Sequence, residues 1–289
     1  MKVEVQIVNA FVYNNMGGNP AGVVLDADRF TNDEKLKIAS KVGVSETAFV
    51  SKSGNADFKL DFFTPNRQIA HCGHATIATF SYLAQLGRVP HKNSSKETID
   101  GRREILITGD LAFMEQRAAQ YLEPNQLREK ILKSLQLQKN ELIEDKPIVV
   151  ANTGNSFLMI PVRSREILKN LQPDMKLIHE VSDALDLIGF YPFTVETFDP
   201  KSDASTRMFG PRYAITEEAG TGMAAGPLAC YLYDFMGIKK SQMLIEQGWL
   251  MTPPSASQII VDLEIANEKI QKLMAGGKGI VSEKKLIEI

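Results

Sequence analysis

The chain has 289 residues, 44% of them apolar and 24% charged, with 33 Lys and Arg against 35 Asp and Glu and a net charge of -2. That length accommodates one large domain or two of ordinary size, and the charge balance leaves no basic excess to neutralise a phosphate backbone, which argues against a dedicated nucleic-acid binder. The apolar content is too high for a disordered chain. Two cysteines, Cys72 and Cys230, are too few for a disulfide-stapled secreted scaffold, and the opening Met-Lys-Val-Glu-Val-Gln alternates apolar and polar residues with no signal-type hydrophobic region. A cytoplasmic protein is the expectation.

Val3-Glu4-Val5-Gln6-Ile7-Val8 alternates with period two and reads as a strand with one buried face. Gly17-Gly18-Asn19-Pro20 is a turn, and residues 21–25 form a short apolar strand. Thr31 and Glu34 have capping-box spacing, with Leu36, Ala39 and Val42 at helical intervals until Gly43 ends the run. Residues 45–50 and 58–62 read as strands. Residues 69–87 carry no formal charge over a length that could span a membrane. His71, His74, Thr76, Thr79, Ser81 and Gln85 lie within them, so a buried helix from about Gly73 fits better, and no membrane contact is expected. Residues 104–108 and 111–115 flank Gly109-Asp110, a hairpin signal.

The second half repeats this order: strands at 148–150 and 157–162, a helix capped by Ser164 and running to about Leu171, strand-like stretches at 188–191 and 193–197, and a second neutral, small-residue helix from about Thr221 to Phe235. The two neutral helices superpose at an offset of 149 residues, with Gly73 over Gly222, Ala75 over Ala224, Tyr82 over Tyr231 and Leu83 over Leu232. An offset of half the chain, with matching strand-then-helix order, points to an α+β fold of two pseudo-symmetric domains, each wrapping strands around one buried central helix.

Both helices open at glycine-bearing turns, His71-Cys72-Gly73-His74 and Ala219-Gly220-Thr221-Gly222. A helix N-terminus presents unpaired N–H groups and partial positive charge, and glycine lets a ligand approach the backbone, so two such ends could hold a carboxylate without Arg or Lys. Glu46 sits in the otherwise apolar Val44-Ser-Glu-Thr-Ala-Phe-Val50; a partly desolvated carboxylate there suits general acid/base work near neutrality. His74 lies in the opening turn of the first helix, and Glu218 a few residues before the second. No zinc site is expected, since His91 and His179 have no ligand-type neighbours to complete a tetrahedral set around His71, Cys72 and His74. Neither a nucleophile elbow nor a phosphate or dinucleotide fingerprint follows any strand.

With those residues placed, the sequence resembles the PhzF-like phenazine-biosynthesis isomerase family, within the diaminopimelate-epimerase fold. The resemblance runs in order through Asn9-Ala10-Phe11, Gly18-Asn-Pro-Ala-Gly-Val-Val-Leu25, Ser45-Glu-Thr-Ala-Phe-Val50, Phe62-Phe-Thr-Pro65, Cys72-Gly-His-Ala-Thr76, Arg207-Met-Phe-Gly-Pro211 and Glu217-Glu-Ala-Gly-Thr-Gly222. It implies mixed β-barrel-like domains at 1–118 plus about 275–289 and at 119–274, the last strand crossing back to the first domain, and an active site in the cleft between them. It further implies cofactor-independent proton shuttling on a small carboxylate by Glu46, with His74 and Glu218 as the other catalytic groups, substrate held by Asn19, Ser45, Gly73, Thr221, Gly222 and Met223, no metal, and a homodimer.

Cysteine-type epimerases of the same fold use one thiol per domain. Here Cys72 matches the first position while Ala219 stands at the second, and Cys230 reads as a small core residue, so a two-thiol mechanism is disfavoured. Departures from the family pattern cluster near the expected cleft: Asn9, Gln68, Glu218 followed by Ala219, Met223, and Met251-Thr252-Pro253. They leave the substrate open, and they motivate a second reading, a family member that binds a small anion without turning it over.

Overall fold

The computed structural model describes all 289 residues, which divide into two compact units, residues 1–115 with 276–289 and residues 116–275. No helix is long and apolar enough to cross a membrane.

The first unit contains β1 (Lys2–Ala10), β2 (Asn19–Val24), α1 (Asn32–Val42), β3 (Thr47–Ser51), β4 (Phe58–Phe63), β5 (Gln68–Ile69), α2 (Gly73–Gln85), β6 (Asn93–Thr98), β7 (Gly101–Thr108) and β8 (Leu111–Arg117). Helix α1 begins where its capping box dictates: the Thr31 hydroxyl accepts from Glu34 N and the Glu34 carboxylate accepts from Thr31 N at 2.8 Å, and Gly43, at φ 82°, takes the left-handed conformation that stops it. The Gly109-Asp110 turn joins β7 to β8 in the anticipated register, Thr108 opposite Leu111. Helix α2 has small or apolar residues on every face, and residues 73–81 and Leu83 are all buried, as a helix enclosed by strands requires.

The second unit contains β9 (Gln120–Leu122), α3 (Arg128–Leu135), β10 (Val149–Asn152), β11 (Ser156–Pro161), α4 (Arg165–Asn170), α5 (Met175–Ala184), β12 (Gly189–Thr194), β13 (Ala204–Thr206), α6 (Gly222–Asp234), β14 (Gln242–Gln247) and β15 (Ser257–Ala266). Ser164 caps α4 by accepting from Ile167 N at 3.2 Å. The strand-like stretches on either side of Pro192 are one element, β12, paired in parallel with β11. The proline breaks the sequence pattern but not the strand, and its carbonyl accepts from Arg207 N and the Thr206 hydroxyl. Outside this sheet, α3, α4 and α5 pack their apolar faces into one core, with Ile131, Leu135, Leu168, Ile178 and Val181 against Leu158, Ile160 and Phe190.

Each unit uses the same pairing sequence. In the first, β1–β2 is antiparallel, β2–β3 parallel, β3–β4 antiparallel, β4–β6 parallel and β6–β7 antiparallel. In the second, β10–β11, β11–β12, β12–β13, β13–β14 and β14–β15 repeat those senses one for one, and α2 and α6 fall at the same point, between the two strands of the second parallel pair. The chain is therefore an α+β protein of two pseudo-symmetric halves. The final strand, β16 (Lys269–Glu288), follows β15, and its residues 279–288 then pair antiparallel with β1. Because β16 also neighbours β8, the first unit closes as an eight-stranded barrel, β1-β2-β3-β4-β6-β7-β8-β16, around α2. Gly279 touches α2 there: its N–H donates to the Ser81 hydroxyl at 2.7 Å, its carbonyl accepts from Gln85, and an added Cβ would lie 3.1 Å from that of Ser81.

Candidate functional site

In the first unit, Glu46 sits immediately before β3. Its carbonyl accepts from Gly22 N at 2.9 Å, tying it to β2. The approach needs glycine, since a Cβ at position 22 would stand 2.7 Å from the Thr47 hydroxyl. The Glu46 side chain is 14% exposed, and its Oε2 lies 3.3 Å from His74 Nε2. That separation suits an ion pair or proton transfer, yet the angles are not those of a hydrogen bond, and Oε2 is buried with no hydrogen-bond donor. His74, 5% exposed, is the second residue of α2; on its other side, Cys72 Sγ lies 3.6 Å from Nδ1.

Burial pushes the Cys72 thiol above its ordinary range, so it stays protonated at neutral pH. A thiol S–H beside Nδ1 makes that nitrogen the acceptor, which puts the proton of a neutral His74 on Nε2, facing Glu46. The donor atoms of Glu46, Cys72 and His74 lie within 4.8 Å of one another, a spacing a metal could bridge. Binding one would require the Cys72 thiol to give up its proton.

Gly73, His74 and Ala75 contribute the first N–H groups of α2, which have no acceptor inside the helix. Asn19 opens β2 and is buried, Gly73 is buried, and Ser45 is exposed beside Glu46. Behind the turn is a residue that sequence reading missed. The Lys96 side chain is fully buried, with Nζ 2.6 Å from the Thr76 hydroxyl, 3.2 Å from His71 Nδ1 and 5.1 Å from the centre of the Phe62 ring. The Thr76 hydroxyl in turn donates to the Cys72 carbonyl at 2.6 Å. No carboxylate touches Lys96, and burial pushes its pKa down to about 7; burial and the neighbouring Lys96 push His71 down to about 3. In β6, Asn-Ser-Ser-Lys-Glu-Thr reads as a solvated edge, and nothing in it marks position 96 as interior.

In the second unit, Thr221 is the N-cap of α6, its carbonyl accepting from Ala224 N and Ala225 N at 2.9 and 3.0 Å. Its hydroxyl donates to Glu218 Oε2 in a short hydrogen bond. The Gly222 carbonyl accepts from the Gln116 side chain at 2.9 Å, and Met223 Sδ lies 3.4 Å from Asn155 Nδ2. Glu218 is half-buried. The residue before it, Glu217, is gripped through both oxygens by Arg207 at 2.8 Å, and Arg207 also reaches the carbonyls of Leu168 and Lys169 at the end of α4. The structure thus gathers Glu46 with His74 in one unit and Glu218 with Thr221 and Gly222 in the other, each group at the N-terminus of its central helix. Glu246 is fully buried and accepts from Phe198 N, Asp199 N and the Ser205 hydroxyl. Beside it, Gln247 is bonded to the Glu218–Thr221 turn. Neither was singled out from sequence.

Comparison with known proteins agrees with this architecture along the whole chain. The family described as phenazine biosynthesis-like protein (PhzC-PhzF) matches residues 8–284. The chain is 33% identical to the uncharacterized isomerase YfhB of Bacillus subtilis, over 100% of this chain and 99% of that protein. It is 28% identical to the trans-2,3-dihydro-3-hydroxyanthranilate isomerase of Pseudomonas chlororaphis, over 95% of each. The crystal structure of a Bacillus anthracis phenazine biosynthesis protein of the PhzF family superposes with a TM-score of 0.90 at 27% identity, over 100% of both chains. With its motifs in order and its two-unit fold shared, this chain belongs to the phenazine biosynthesis-like, or PhzF, protein family and is one of its isomerases.

Proposed function

We propose that this protein is a cofactor-independent isomerase that moves a proton between carbons of a small carboxylate-bearing metabolite, with Glu46 as the group that takes and returns it. The observation that carries the proposal is the Glu46 Oε2 atom, buried, without a hydrogen-bond donor, and 3.3 Å from His74 Nε2 at the mouth of α2. Such an oxygen keeps a lone pair available for a proton from carbon. In the step we envisage, the C–H bond breaks as Glu46 takes the proton, the electron pair delocalises toward the substrate carboxylate, and protonation at another carbon restores Glu46; no net oxidation occurs. Backbone N–H groups at the opening turn of a central helix would stabilise the delocalised charge, and Asn19, Ser45, Gly73, Thr221, Gly222 and Met223 would contact the substrate. His74, presenting its Nε2 proton to Glu46, would steady that carboxylate between taking and returning the substrate's proton, and Glu218 would serve as the second acid/base group. Action in the cytoplasm, as a homodimer, is part of the same reading.

Deuterium wash-in tests it. The protein and Glu46→Gln are incubated in heavy water with small carboxylates, including trans-2,3-dihydro-3-hydroxyanthranilate and amino acids, and followed by NMR. Exchange by the wild type, slowed about 10²–10⁴-fold in Glu46→Gln, is the expected result. Undiminished exchange in the variant refutes the role of Glu46. No exchange with any compound, but a raised melting temperature with one of them, would instead establish the anion-binding reading that the departures at Asn9, Gln68, Glu218-Ala219, Met223 and Met251-Thr252-Pro253 motivate.

A further inference from the structure

Gln247, the last residue of β14, has all its side-chain hydrogen-bonding capacity turned on the Glu218–Thr221 turn and on Tyr191, and it is 1% exposed. One side-chain atom lies 3.0 Å from Thr221 N, which can only donate, so that atom is Oε1. The other lies 2.7 Å from the Glu218 carbonyl, which can only accept, so it is Nε2. The orientation of the amide is thereby fixed by two backbone groups. Oε1 also accepts from the Tyr191 hydroxyl at 2.8 Å, and burial raises that phenol well above its ordinary range, which keeps it a donor. The second Nε2 hydrogen goes to the Thr221 hydroxyl at 2.9 Å. Thr221 Oγ1 is then an acceptor toward Gln247, and its own hydrogen is directed to Glu218 Oε2.

We infer that Gln247 is a positioning residue that commits the Thr221 proton to Glu218 and so holds the Glu218 carboxylate in its ionised form, as a proton acceptor. The inference deepens the proposed function and takes its catalytic meaning from it: while Glu46 takes and returns the substrate proton, Glu218 stays ionised as the second group able to accept one. A hydrogen bond donated to a carboxylate favours the charged state. Tyr191, whose hydroxyl also bonds Gln247, remains a neutral phenol, and Arg207 is paired with Glu217.

The test needs no substrate, so its outcome is independent of whether Glu46 shuttles a proton. The titration of Glu218 is followed by ¹³C NMR of its side-chain carboxyl, assigned with Glu218→Gln, in the wild type, Thr221→Val, Thr221→Ser and Gln247→Met. Thr221→Val should raise the Glu218 midpoint by about one unit or more, Thr221→Ser should leave it at the wild-type value, and Gln247→Met should move it in the direction of Thr221→Val. A purely structural glutamine would lower melting temperature without moving that midpoint. An unmoved midpoint in Thr221→Val, or in folded Gln247→Met, overturns the inference. Should Gln247→Met fail to fold, Tyr191→Phe replaces it by removing the phenol donor to Oε1; a smaller upward shift supports the inference and no shift overturns it.

Discussion

Lys96 makes a prediction about stability that the sequence alone would not suggest. The ammonium is buried against Thr76, His71 and the Phe62 ring with no carboxylate in contact, and its pKa falls from 10.5 to about 7. A depressed lysine binds its proton less readily in the folded than in the unfolded chain. Between pH 7 and 10.5 the unfolded lysine therefore holds a proton that the folded one has released, and stability rises with pH across that window. At 1.36 kcal/mol per unit, the full effect is about 4–5 kcal/mol, of which about 2 kcal/mol develops between pH 7 and 9. Lys96→Met keeps a flexible chain of similar volume and removes the ionisation. Thr76 retains its bond to the Cys72 carbonyl, and His71 is neutral in the folded wild type while titrating alike in both unfolded chains, so neither confounds the comparison. Urea unfolding followed by far-UV circular dichroism at pH 7, 8 and 9 should give curves in which the advantage of Lys96→Met over the wild type shrinks by about 2 kcal/mol from pH 7 to 9. A difference between the two proteins that stays constant over those two units would refute the reasoning.

Arg207→Ala strips the partner from both Glu217 oxygens and from the carbonyls at the end of α4, and should cost about 3–5 kcal/mol, typical of breaking a buried pair by removing one member; a loss below about 1 kcal/mol in thermal denaturation would contradict it. Cys72→Ser should retain exchange activity within a few-fold and the wild type should resist iodoacetamide at neutral pH, because the thiol is buried and held protonated; an inactive serine variant with rapid alkylation of the wild type would instead indicate thiol chemistry. Gly22→Ala brings a methyl group to within 2.7 Å of the Thr47 hydroxyl and should destabilise by about 1–3 kcal/mol, with Thr47→Ala in the same chain recovering most of the loss in melting temperature.

What the sequence disclosed and what it hid divide along physical lines. Local chemistry was legible: the Thr31–Glu34 box and Gly43 delimit α1, Gly109-Asp110 sets the β7–β8 hairpin, and Ser164 starts α4. The two central helices were legible because a helix enclosed by strands must be apolar or small all round, and both are. Glu46 and His74 drew attention as polar residues in apolar surroundings. The groups that hold these residues in place were not legible, because their partners are distant in sequence. Lys96 lies 20 residues from Thr76 and 25 from His71, Gln247 lies 26 from Thr221, and each is a polar side chain whose burial depends on tertiary packing. Pro192 misled for the opposite reason: a local breaker signal is overruled where its carbonyl, rather than its missing N–H, makes the bonds.

The return of the chain through β16 sets the order in which the protein can assemble on the ribosome. Residues 116–275 are contiguous, so the second unit can complete its core without any residue from beyond that stretch. The first unit is synthesised earlier yet finishes later. Until residues 279–288 emerge, β1 lacks one of its two neighbours, Ser81 and Gln85 of α2 lack Gly279, and the barrel stays open along an unpaired edge. The half of the molecule that carries Glu46 and His74 therefore cannot close before residues 279–288 are present, and until then it is the half with open strand edges available for wrong pairing.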